Sequence, residues 1–114
     1  MDELERLVES AGGEVVARVV KERSSPDPAT YVGRGAVEEI GEVARDENAA
    51  LVVFDDELTP AQVRNLEARW GEGVRVIDRP ALILDVFASH ARSREARTQV
   101  ELAQLQYLLP RLAG

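Results

Sequence analysis

The strongest pattern of apolar and polar positions lies between residues 74 and 112. Val74 to Ile77 is a short apolar run of the kind that forms a buried strand. The stretch from about Pro80 to Ala91 is mostly apolar and predicts a helix. Ser93 to about Leu109 predicts a longer one, ended by Pro110. At 100° per residue, Ala96, Val100, Ala103 and Tyr107 fall on one side of this last helix, and Leu102, Leu105, Leu109 and Leu112 on the other. Glu101 and Gln104 mark one polar flank between them, Gln99 and Gln106 the other. A helix on a finished surface needs one apolar stripe. The second stripe predicts a second covering partner.

Upstream, helical and strand patterns alternate. Asp2 to Ala11 reads as a short helix closed by Gly12-Gly13, and the valine-rich Glu14 to Glu22 as a strand. Arg23 to Thr30, with two prolines and two serines, reads as a loop, and Tyr31-Val32 as a very short second strand. Gly33-Arg34-Gly35 opens a helix running to about Asp46, with Val37, Ile40 and Val43/Ala44 as its buried stripe. Ala49 to Phe54 is a continuous apolar run, as in a strand buried on both faces. Thr59-Pro60-Ala61-Gln62 is a capping box with proline at the first helical position, starting a helix to about Trp70. This alternation predicts an α/β fold: a small three-layer domain with a mainly parallel sheet of three or four strands, then a protruding long C-terminal helix. The expected division is an α/β part over 1–91 and the helix over 92–114.

Composition narrows the function classes. The chain has 114 residues, one domain in length, and no cysteine, which excludes disulfides and thiolate metal sites. Its apolar runs are too short to span a membrane. The acidic, amphipathic start MDELERLVES is unlike a secretory signal, so the expected location is cytoplasmic. The net charge of −7 disfavours nucleic-acid binding over the whole surface. Residues 90–114, however, set Arg92, Arg94, Arg97 and Arg111 against Glu95 and Glu101, a local +2 on a body of −9. Such a patch suits a phosphate-rich partner through a small footprint.

Four further features carry candidate chemistry. Gly33, Arg34 and Gly35, between a short strand and a helix, can present amide groups to an anion or simply turn the chain tightly. They lack the third glycine of a dinucleotide fingerprint and the lysine and hydroxyl of a P-loop. Asp55 and Asp56, with Glu57, follow a buried strand where α/β sheets place their sites, and Asp78 ends the next strand. They can hold Mg²⁺, or flank helix starts because the dipole favours acids there. His90, the only histidine, lacks recognisable catalytic or metal partners and reads as a surface or hinge residue. Asp85 interrupts an apolar helix and is expected to pair with a nearby arginine. No catalytic residue is assigned.

Three stretches together resemble a known family: DPATYVGRGAVEEI (27–40), LVVFDDELTPAQVRNLE (51–67) and VIDRPALILDVFASHARSREARTQVELAQLQYLLPRL (76–112). In order and spacing they resemble the N-terminal domain of the HflX family of ribosome-associated GTPases. That resemblance implies a small parallel α/β unit leading into an antiparallel helical hairpin, with a P-loop GTPase domain after it. It implies association with the large ribosomal subunit and the splitting of stalled ribosomes. This chain holds only the first hairpin helix, and no GKS/T element occurs in it. It is therefore expected to be the N-terminal piece of a longer protein. GTP and Mg²⁺ are implied for the missing GTPase domain and no cofactor for these residues. The expected partner is ribosomal RNA, met by Arg92, Arg94, Arg97 and Arg111. The leucine face of helix 93–109, left without the hairpin's return helix, is expected to pair with a second copy. Two other readings compete: a nucleotide module binding ATP through Gly33, Gly35, Asp55 and Asp56, and a receiver-like signalling domain. The second is weakened because the acid pair does not follow a first strand and Lys21 is the only lysine.

Overall fold

The computed structural model describes residues 2–21 and 25–112. Helix α1 (Glu3–Ser10) is capped by Asp2, whose carboxylate accepts from the Glu5 amide at 2.9 Å. Then come α2 (Arg34–Asp46), β1 (Leu51–Phe54), α3 (Pro60–Trp70), β2 (Arg75–Asp78), α4 (Arg79–His90) and α5 (Arg94–Leu112). The Thr59 and Gln62 capping box starts α3 as its sequence requires: each side chain takes the other's backbone amide. At the end of α2, Asn48 adopts the left-handed conformation (φ 54°), and the Ala49 amide reaches back to the Ala44 carbonyl at 2.8 Å.

The α/β class holds, but the sheet is smaller than the sequence predicts. Among the described residues it has two parallel strands, β1 and β2, paired from Leu51↔Arg75 to Phe54↔Asp78 and joined through α3. The expected strand over 14–22 is absent over its described part, 14–21; Glu22 lies outside the described residues, as do Arg23 and Ser24 of the expected loop. Valine-rich composition favours a pleated, half-buried surface but does not supply a neighbour to bond. Residues 14–21 are tied down by side chains instead. Arg18 reaches Asp2 at 2.9 Å and Glu5 at 3.0 Å, and Lys21 pairs with Glu39. In place of the expected strand at Tyr31-Val32 stands an isolated antiparallel bridge between Tyr31 and Asp27.

The core gathers Val37 of α2, Phe54 of β1, Leu58, Val63 and Leu66 of α3, and Val76 of β2. Phe54 stacks on Trp70 and meets Tyr31 edge-on, with ring centroids 6.2 and 6.0 Å apart. Strand alternation turns Val53 and Ile77 the other way, towards the layer where α4 packs on both strands and α1 packs on α4. Helix α5 lies across α3 and α4. It does not stop at Pro110 as expected; the helix carries proline in its last turn and runs to Leu112. Arg64 donates to the Pro110 carbonyl at 2.9 Å, and Arg111 is anchored in the interior, so this turn is held by tertiary contacts. Among the described residues no helix is long and apolar enough to cross a membrane.

Candidate functional site

The basic residues at the start of α5 are exposed. Arg92 lies in the link between α4 and α5, and Arg94 and Arg97 lie on the first turn of α5. Ser93 caps that turn, its hydroxyl accepting from the Ala96 amide at 3.0 Å. Arg94 and Arg97 are three residues apart and so share a helix face. All three arginines are exposed, and no guanidinium among them has a hydrogen bond or ion pair with a described residue. Cations at a helix N-terminus oppose the macrodipole and cost a few tenths of a kcal/mol or more each. Three unpaired arginines at that end are thus unfavourable within the chain itself and are suited to an external anion. His90 is exposed beside them, its Nδ1 2.8 Å from the Val86 carbonyl.

Arg111 stands apart from this group. Its side chain is 11% exposed, and its guanidinium donates to the Leu58 carbonyl at 2.8 Å and the Tyr107 carbonyl at 2.9 Å. It covers the Tyr107 ring at 3.7 Å and lies 3.9 Å from the Asp78 carboxylate. This geometry gives Arg111 an interior task, unlike the exposed basic set. The reason is its position: four residues after Tyr107, it shares that residue's inward face.

Asp78 is the polar centre of the fold and 1% exposed. Its carboxylate accepts from the Leu58 amide at 2.9 Å, from the Ala81 amide at 3.2 Å as the cap of α4, and from the Tyr107 hydroxyl. Burial first, and then the Asp78 carboxylate that takes its hydrogen bond, push the Tyr107 phenol above its ordinary value. Sequence reasoning noted these three residues separately. The signal that could have joined them was an acid ending a buried strand, with tyrosine and arginine on the inward face of the helix that returns over it.

The other carboxylates at the strand ends are likewise engaged inside the chain. Asp55 pairs with Arg79, which also meets Glu3, and Asp56 accepts from the Tyr31 hydroxyl. Among the described residues no group of three or more acids or histidines is placed to hold a metal ion. Gly33 caps α2 with φ −67°, and a Cβ at Gly33 or Gly35 would meet nothing within 4 Å. The sharp turn expected at these glycines is made earlier, by Tyr31 at φ 67°. Its strain is balanced by the Asp56 hydrogen bond and the bridge to Asp27. Arg34 is exposed at the start of α2. Asp85 is exposed and accepts from Gln104 of α5 at 2.8 Å rather than from an arginine.

Comparison with known proteins agrees over nearly the whole chain. A family model described as GTP-binding GTPase N-terminal matches residues 1–88, and one described as GTP-binding GTPase Middle Region matches residues 90–114. A GTPase HflX from Alkalihalophilus pseudofirmus is 52% identical over 98% of this chain and 26% of its own length. The GTPase HflX of Escherichia coli is 49% identical over the same shares of each chain. Among solved structures, a GTP-binding protein from Sulfolobus solfataricus in complex with GDP superposes with a TM-score of 0.76 at 33% identity, covering 96% of this chain and 34% of that one. The chain spans about a quarter of the length of the curated relatives it matches.

Proposed function

The chain belongs to the GTP-binding GTPase N-terminal family, the family of the HflX GTPases, and on that premise we propose that it is a non-catalytic ribosome-binding unit. Arg92, Arg94 and Arg97 meet phosphates of ribosomal RNA on the large subunit, and the α/β body sets their orientation. The observation that carries this reading is the group of three exposed, unpaired arginines at the positive end of α5 on a chain of net charge −7. Guanidinium groups grip phosphate bidentately, and the first-turn amides of α5 add to the same field. GTP hydrolysis, the Mg²⁺ it uses and any splitting of stalled ribosomes belong, in this reading, to the longer protein. This unit contributes recognition, and it works in the cytoplasm where ribosomes are.

The test is co-sedimentation of the chain with isolated large ribosomal subunits over a salt series. Binding through three phosphates is expected to fall with salt with a log–log slope of about −2 to −3. Changing Arg92, Arg94 and Arg97 together to Glu should abolish binding, whereas Arg111→Lys, an interior change, should leave the slope unaltered. Full binding by the triple variant would remove these arginines from the interface.

A further inference from the structure

Between β2 and the helices around it lies a small cavity of about 20 Å³. Val76 and Asp78 of β2, Glu67 of α3, Ala81 of α4, and Leu108 and Arg111 of α5 line it. A single water molecule needs about 10–15 Å³ of such space, and a phosphate or an organic group needs far more. The size admits one guest no larger than water.

The walls are not those of a dry cavity. The Arg111 guanidinium donates to the Leu58 and Tyr107 carbonyls, yet its Nε is buried with no hydrogen-bond partner among the described residues. A buried N–H is rarely left so, because the hydration it loses on folding has to be replaced. Glu67 offers the complementary group. One oxygen of its carboxylate accepts from the Val76 amide at 2.9 Å, and the other has no hydrogen bond with a described residue. Glu67 and Arg111 form no direct ion pair. A donor on α5 and an acceptor on α3 thus border one cavity without touching.

The chemistry of the walls selects the guest. A sodium ion cannot accept from Nε–H and would lie against a guanidinium. A chloride ion can accept, but it would bring a third negative charge beside Asp78 and Glu67. Water does what both walls ask: it accepts from one and donates to the other.

We propose that this cavity is the site of one internal water molecule, which accepts from Arg111 Nε–H, donates to the Glu67 carboxylate and so ties the last turn of α5 to α3. The proposal does not depend on the ribosome reading. A high-resolution crystal structure of the chain should show one ordered water within about 3.2 Å of Arg111 Nε. In solution, the Arg111 Nε–H should give a dipolar cross-peak to the water resonance, assigned by its loss in Arg111→Lys. Oxygen-17 relaxation dispersion of the solvent counts long-lived internal waters. Arg111→Met, which keeps the length of the side chain but removes the donor, should hold one fewer while Trp70 fluorescence and circular dichroism stay native. Glu67→Leu removes the acceptor instead and should give the same loss, so the test survives if Arg111→Met does not fold. A dry cavity, a direct Glu67–Arg111 contact, an ion at the site, or an unchanged water count in both variants would each overturn the proposal.

Discussion

Asp78 shows how much one residue can decide in a small domain. Its carboxylate serves three donors on three separate segments: the Leu58 amide before α3, the Ala81 amide of α4 and the Tyr107 hydroxyl of α5. Arg111 supplies the countercharge. Asp78→Ala would leave the two amides and the phenol without their acceptor, and the Arg111 guanidinium without its countercharge. A loss of about 3–5 kcal/mol is expected, read by urea unfolding followed through Trp70. A loss below about 1 kcal/mol would mean that the groups find other partners. Tyr107 adds a pH dependence. Because folding raises its phenol above the ordinary value, folding favours the neutral form. That stabilisation is complete below the ordinary tyrosine value of about 10, and it is lost as pH rises through the raised folded value. Unfolding free energy should therefore decline above about pH 10, and Tyr107→Phe should flatten that decline. Equal slopes in both proteins would dismiss Tyr107 as the source.

At the scale of elements, local rules held where the chain carries its own partners. The α3 start needs only Thr59, Gln62 and their backbone amides, all within four residues. Thr59→Ala is expected to cost about 1 kcal/mol in chemical unfolding, since the Gln62 amide loses its acceptor. The two faces of α5 were equally legible, because helical periodicity alone sorts Val100 and Tyr107 from Leu102, Leu105 and Leu109. The misjudged elements depended on distant residues. Pro110 reads locally as a stop, yet Arg64 and Arg111 hold the turn that contains it. Residues 14–21 read locally as a strand, yet a strand exists only when another backbone accepts its hydrogen bonds.

At the scale of the molecule, a sheet with two short strands among the described residues is a small foundation. Its β1 edge carries a half-exposed Leu51, and Val16 and Val20 are exposed on the unpaired segment. The helices therefore supply much of the cohesion. α4 backs both strands, α1 backs α4, and α5 locks onto the strand end through Asp78. The same arrangement separates the two outward features of α5. Its first turn shows arginines to solvent, and its later turns show leucines. The arginines can therefore be reversed in charge without touching the leucines.

The sequence by itself determined the α/β class, the places of its helices and two of its strands, the cap at Thr59, and the two-faced nature of α5. Each of these rests on interactions among residues close in the chain or on a periodicity within one element. Only the tertiary structure decided how the charged groups are used. It turned Arg111 inward, gave Asp55 to Arg79 and Asp56 to Tyr31, set Asp85 against Gln104, and left Arg92, Arg94 and Arg97 free in solvent. It also reduced the sheet to two strands. A charge finds its partner, and a strand its neighbour, across tens of residues of chain. Composition and spacing carry no record of which distant group will be brought within 3 Å.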